Sequence, residues 1–417
     1  MTDPATVDHP ATNPAKLVHE LVLGSVADPF PLYNELRETG TGVHWADILN
    51  GWVITRYDDS RRTLAMPEVF SNDTFFDTAP GVHDLDDSEH RRFIGISSKQ
   101  FMFQDPPVHT QVRSIFRHAF TRAAIERWRP VVESVSDTLL ARFSPGQELD
   151  IMPSLAADIP VAVIASMLGL PEDKWGQLRE WSEAFGRTLD PGVQGELRDS
   201  SIRTSLELMD YLADLIRRRR ADPRDDLTTL IATTPTLDGD QLPEADVIAQ
   251  VTLLLAAGND TTTSLIGSGM TTMIDNPGLK ERLREDPALI PGAIEEMLRL
   301  DPPFHLDFRK ALADVEIGGQ QISRGQMVFQ VLAAANRDPR RYADPDTFEL
   351  GRNAAPHLAF SHGVHFCVGA PLARLEGEVA LRRILERFPG FVAGEAPALR
   401  RTDNILARGW HRRPVRL

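Results

Sequence analysis

The chain has 417 residues, 42% of them hydrophobic and 25% charged, which is ordinary for a soluble globular protein and long enough to bury a large core. With 60 acidic against 45 basic side chains it carries a formal charge of −15, a balance that repels nucleic acid and anionic membranes and sets both aside as partners. A single cysteine excludes an intramolecular disulfide and requires no oxidising compartment.

Taken in chain order, the first 24 residues lack the apolar core of a signal peptide and read as a flexible segment. "VHWADILNGWVITRY" (43–57) has strand character. The acidic "GVHDLDDSEHRRFIGISSKQ" (81–100) reads as a long mobile loop. Apolar residues then recur at helical spacing in four stretches: "AIERWRPVVESVSDTLLARF" (124–143), "EDKWGQLREWSEAFGRTL" (172–189), "SIRTSLELMDYLADLIRRR" (201–219) and "PGAIEEMLRL" (291–300). The basic run Arg217 to Arg220 fits cations that complement a helix C-terminus on a solvated face. "VIAQVTLLLAAGNDTTTSLIG" (247–267) meets polar residues before reaching the ~20 that a bilayer demands. "VEIGGQQISRGQMVFQVLAAANR" (315–337) is hairpin material, and "APLARLEGEVALRRILERF" (370–388) is a helix with Pro371 in its first turn. No linker, low-complexity block or repeat divides the chain. The expectation is one domain over 1–417, mainly α with a small β portion, in a cytoplasmic protein.

The one thiol, Cys367, sits in "FSHGVHFCVGAPLARLEG" (360–377), immediately before that last helix. Three readings are open from the residues. An inert buried thiol is one. A zinc site with His362 and His365 is a second, although it has only three ligands at cramped spacing. The third is a thiolate stabilised at a helix N-terminus. Gly363 would then permit a tight turn, and Gly369 would let a flat ligand approach the backbone, as where a thiolate holds haem iron.

Phe360, Gly363, His365, Cys367 and Gly369 reproduce F-x-x-G-x-H-x-C-x-G, and here the chain resembles the cytochrome P-450 family, most of all its soluble bacterial members. The likeness runs from "ADPFPLYNELRETG" (27–40) to "RGWHRRPVRL" (408–417). It implies that Cys367 is the axial ligand of haem iron and that His365 contacts a haem propionate.

Three further constellations fit the resemblance. In "LLLAAGNDTTTS" (253–264), Ala257-Gly258 is a weak spot in a long apolar helix, followed by an acid and a hydroxyl. Read alone, Thr261 bonds back to a carbonyl and Asp260 is structural. The resemblance implies a distal helix crossing the haem, with Ala257 beside it and Asp260 and Thr261 relaying protons to dioxygen. In "EEMLRL", Glu296 and Arg299 lie one turn apart, an ordinary surface pair on its own. The family's E-x-x-R makes it a buried structural pair tied to "RYADPDTFELGR" (341–352). His109 and Arg113, four apart in "DPPVHTQVRSIF", together with Arg309 match the positions that bond the haem carboxylates.

The resemblance therefore implies a haem b enzyme that inserts one atom of O2 into a small organic substrate, with natural-product tailoring favoured. Electrons would come from a ferredoxin and an NAD(P)H-dependent reductase, because one cysteine cannot ligate an iron–sulfur cluster. An oxidative coupling enzyme and a non-catalytic haem binder are the alternatives, and a peroxygenase is expected to lack the Asp260-Thr261 pair. The substrate pocket should draw on Leu253, Ala256, Ala257, Asn259, Phe304, His305, Leu306, Ile405, Leu406 and the 70–103 loop. His305 and Asn259 are the candidate polar anchors in an otherwise apolar site. A monomer is expected.

Overall fold

The computed structural model describes residues 13–24, 26–73, 88–190, 193–352, 356–402 and 404–417. Helices dominate, and the strands gather mainly into one five-stranded sheet. Helix α1 (Pro14–Leu23) is capped by the Asn13 side chain and lays Leu17, Val18 and Leu21 on the sheet. The segment expected to be flexible is therefore ordered over these residues, while 1–12 lie outside the described residues.

Strands β1 (Val43–Ala46) and β2 (Gly51–Ile54) pair antiparallel, the chain turning at Asn50 in the left-handed region (φ 45°). Trp45 and Trp52 meet edge to face across the pair, with ring centres 5.6 Å apart. With β3 (Phe70–Ser71), β4 (Leu306–Ala311) and β5 (Met327–Val331) the order is β1-β2-β5-β4-β3. Only the β2–β5 pairing is parallel. The expected hairpin forms at Val315–Ile317 and Gln320–Ile322, turning on Gly318 and Gly319, both with positive φ.

The stretch expected to be a loop is partly helical. Helix α2 (Ser88–Ser97) buries Phe93 and Ile96, while 81–87 fall outside the described residues. After α3 (Val108–Ser114), residues 124–143 divide into two helices, with Pro130 in the first turn of the second. Next come α4 (Asp158–Met167), α5 (Trp175–Thr188) and α6 (Gly195–Ala221). At the end of α6, Arg219 is not solvated: it is 5% exposed, pairs with Asp226 at 2.5 Å and donates to the Gly169 carbonyl at 2.9 Å.

Helix α7 (Glu244–Asp275) runs through the middle of the core without a break at Ala257-Gly258. It is apolar on nearly every side because α4, α5, α6 and α9 (Ala370–Arg387) all pack on it. Gly269 lets α7 approach α9, since a Cβ there would come within 2.9 Å of Leu381. Among the described residues no helix is long and apolar enough to cross a membrane. Helix α8 (Ile290–Leu300) leads into β4, and the turn that carries Cys367 leads into α9. A cavity lies between that turn and α7.

Candidate active site

The cavity encloses about 300 Å3. One wall is the face of α7 that carries Leu253, Leu254, Ala257, Gly258 and Thr261, and the opposite wall is Phe360 and Cys367 to Gly369 with Leu372 of α9. Phe101 to Phe103 with Arg113 form one side, and Phe304 with Leu306 to Arg309 form another.

In the loop around Cys367, the Cys367 N–H donates to the Phe360 carbonyl at 2.9 Å, and Phe366 N–H to Gly363 O at 3.1 Å, which closes a short 3-10 turn. Gly363 needs φ 74°, and a Cβ there would collide with the Leu64 carbonyl, so only glycine fits. Gly369 is different: its backbone is ordinary (φ −78°), and Cys367 Sγ is the nearest atom to an added Cβ, at 3.8 Å. Its missing side chain leaves open cavity floor, the space a flat ligand needs. Cys367 is open to the cavity, and burial among protein pushes its thiol up, while the Gly369 N–H, Arg113 and the Ala370 N–H pull the other way. Among the described residues no three His, Cys, Asp or Glu side chains are gathered as metal ligands, so the zinc reading with His362 and His365 has no geometry behind it.

Beside Cys367 the structure gathers His109 and Arg113 of α3, Arg309 of β4 and His365, from three distant segments. The two imidazoles lie 4.4 Å apart. Burial, then the Arg113 charge, holds His109 at about 4, and burial, then Arg309, holds His365 at about 3. Both rings are neutral at pH 7. Both nitrogens of His109 and Nδ1 of His365 are buried without partners among the described residues. Asp307 is the acid beside His365, bonded to Arg309 at 2.5 Å and to Ser361 at 2.7 Å, and Arg113 donates to the Phe366 carbonyl. Two guanidiniums and two unsatisfied imidazoles outnumber the two acids beside them, Asp307 near His365 and Asp105 near His109. That donor set fits a ligand bearing carboxylates, as the thiol and open floor fit a planar metal macrocycle.

On α7, Thr261 lines the cavity and its hydroxyl donates back to the Ala257 carbonyl at 2.8 Å. Asp260 stands in a polar, half-exposed setting. Its side chain is 51% exposed and holds Arg401 through both oxygens, at 2.9 and 2.7 Å. Arg401 comes from the C-terminal segment and carries no sequence signal of this contact.

Several expected pocket residues lie elsewhere. His305 is buried, 1% exposed, but turns to the Tyr33 hydroxyl at 3.2 Å, packs on Phe30 and lies near Asp301. Its neighbours Phe304 and Leu306 line the cavity, because residues alternate along the extended chain entering β4. Asn259 faces α5 and reaches Ser182 at 3.4 Å. Ala256 packs into the core, and Leu406 rather than Ile405 reaches the cavity. Leu253, Ala257 and Phe304 line the cavity.

Glu296 and Arg299 form a bidentate buried pair, 2.7 Å at each contact. Arg299 also donates to the Asn336 and Pro345 carbonyls, and Arg352 of the expected partner stretch reaches Glu296 at 2.9 Å.

Sequence reasoning missed Glu376. It is 2% exposed, lines the cavity, and has burial pushing its carboxyl up to about 8, with the Thr262 hydroxyl as the one partner that opposes the shift. The signal was an acid on the apolar face of α9, in register with Leu372, Leu375 and Val379. A carboxyl raised in the folded state favours folding fully below its ordinary value and loses that contribution as pH climbs through the raised one. Stability should therefore fall from about pH 5 to about pH 9, and Glu376→Gln, neutral and nearly isosteric, should flatten that fall. Parallel melting-temperature profiles for the two proteins would contradict a neutral Glu376.

The comparisons with known proteins agree with this geometry. The family model "Cytochrome P-450" matches residues 195–401. The chain is 38% identical to cytochrome P-450 107B1 of Saccharopolyspora erythraea over 372 residues, 88% of this chain and 89% of that one. It is 33% identical to the polyketide biosynthesis cytochrome P-450 PksS of Bacillus subtilis over 399 residues, 95% of each. The ligand-free crystal structure of Mycobacterium smegmatis CYP164A2 superposes with TM-score 0.84 at 32% identity, covering 97% of this chain and 100% of that one.

Proposed function

The chain belongs to the cytochrome P-450 family and is a monooxygenase, and from that premise we propose that it oxidises a small, mainly apolar natural product. It takes haem b as cofactor and O2 as co-substrate, and receives electrons from a ferredoxin and an NAD(P)H-dependent reductase. It works as a cytoplasmic monomer. The observation that carries this reading is one cavity bounded by a thiol over an open glycine floor, a cluster of carboxylate donors and a hydroxyl on a long apolar helix. The name of PksS supports the natural-product assignment.

In this reading Cys367 ligates the iron, steadied by the N–H groups of Gly369 and Ala370 at the start of α9. Arg113, Arg309, His109 and His365 hold the two carboxylates. When bound, the haem supplies the redox chemistry that divides dioxygen between product and water. Ala257 and Gly258 leave room beneath α7, and the Thr261 hydroxyl holds the proton that the reaction consumes there. Asp260, half exposed on Arg401, takes protons from solvent and passes them to Thr261 on releasing the arginine.

Turnover under isotopically labelled dioxygen, with ferredoxin, reductase and NADPH, tests the proposal. One labelled atom is expected in the product and one in water. A product with no label would mean coupling rather than insertion, and NADPH left unspent with every substrate would mean a haem binder without catalysis.

A further inference from the structure

We infer that Arg374 is a positioning residue for the reducibility of the metal centre: its guanidinium lies on the Phe360 ring and raises the affinity of the site for an electron, while Glu295 limits that effect. The inference rests on the haem-thiolate reading.

Phe360 is tied to the thiol residue in two ways. Its carbonyl accepts the Cys367 N–H at 2.9 Å, and its side chain lines the same cavity wall. The residue is 9% exposed and its ring carries a cation, the Arg374 guanidinium carbon lying 4.5 Å from the ring centre. Glu295 of α8 fixes that guanidinium, accepting from Nε at 2.7 Å and from Nη2 at 2.9 Å. His357 completes the cluster. Its Nδ1 accepts the Ala359 N–H at 3.2 Å, which puts the ring proton on Nε2, 3.3 Å from Glu295 Oε2. Its ring centre is 5.8 Å from that of Phe360. Burial would raise the Glu295 carboxyl, but His357 and Arg374 bring it down to about 2, so the acid is charged at pH 7.

As a tie between α8 and α9 the pair contributes little, because the Arg374 and Glu295 side chains are 38% and 43% exposed. Its charges matter more at the sulfur. Arg113 and Arg374 are cations whose charge favours the Cys367 thiolate. Arg113 lines the cavity among the carboxylate donors, whereas Arg374 does not line it, so Glu295 and not a haem carboxylate offsets its charge. A cation near a thiolate-ligated iron draws charge from the sulfur and favours the reduced state, which holds one more electron. An anion does the opposite. Loss of Arg374 and loss of the Glu295 charge must therefore move the reduction potential in opposite directions.

Potentiometric titration of the haem-loaded protein tests this, with dithionite supplying the one electron per iron that takes ferric haem to ferrous. In Arg374→Leu the equilibrium constant for reduction should fall at least about threefold, which is about 28 mV at ~59 mV per tenfold. In Glu295→Gln, which keeps the arginine and removes the negative charge, it should rise by a similar factor. A shift of both variants in the same direction, as general loosening of the Cys367 turn would produce, overturns the assignment. So does an unmoved potential in either. The rise in Glu295→Gln is required on its own, so poor folding of Arg374→Leu cannot protect the inference. Failure of the haem reading would appear separately, as absent haem loading before any titration.

Discussion

Arg299→Ala is expected to yield little or no soluble haem-loaded protein. The side chain is 2% exposed and grips Glu296 through two hydrogen bonds while donating to the carbonyls of Asn336, Pro345 and Thr347. Burial alone would raise the Glu296 carboxyl, and Arg299 leads the groups that hold it below its ordinary value instead. Removing the arginine takes two hydrogen bonds from a buried carboxylate and leaves the Asn336 and Pro345 carbonyls short of a partner, while Thr347 keeps Arg352. Breaking such a pair costs about 3–5 kcal/mol, a large share of a typical ~5–15 kcal/mol stability. Arg352 remains on Glu296 and on the Thr347 carbonyl, and has no contact with the Asn336 or Pro345 carbonyl. The measurement is the melting temperature and haem content of purified protein. A loaded variant that melts with the parent would show the pair to be dispensable.

Asp260→Asn is expected to slow product formation by ~10²–10⁴-fold, the range for loss of a positioned proton donor. The exposed side chain and its Arg401 partner are at the surface of α7, so the substitution should leave melting temperature near that of the parent. Thr261→Ala should act differently. Haem and substrate should still bind, but NADPH should be spent on hydrogen peroxide in place of product, because the hydroxyl of this cavity-lining residue is gone. Steady-state rates and the ratio of product to NADPH distinguish the two. Unchanged coupling in Thr261→Ala would remove that hydroxyl from the relay, and an undiminished rate in Asp260→Asn would remove the acid.

The two features most legible in the sequence owe their shape to local spacing. Gly363, Cys367 and Gly369 lie within one turn and the start of one helix, so their sequence positions nearly fix their geometry. Glu296 and Arg299 are one turn apart on α8, and their pairing follows from helix periodicity alone. What was illegible depends on which way a side chain turns once distant elements meet. His305 stands between two cavity residues, yet Tyr33, 272 positions earlier, claims its Nδ1. Asp260 precedes a cavity-lining residue on α7, yet Arg401, 141 positions later, holds it outward. Arg219 reads as a solvated cation until Asp226 and Gly169 close over it. Periodicity places an acid on the buried face of α9, but only the packed core shows that, among the described residues, Glu376 meets the Thr262 hydroxyl and no cation.

The central claim is that Cys367, as thiolate, ligates a haem iron in this cavity. The most direct test is the optical spectrum of the reduced protein under carbon monoxide, recorded for the parent and for Cys367→Ser. The account predicts that the parent shows the strongly red-shifted band that thiolate ligation produces and that the serine variant loses it. A parent without that band, or a variant that keeps it in full, would contradict the account.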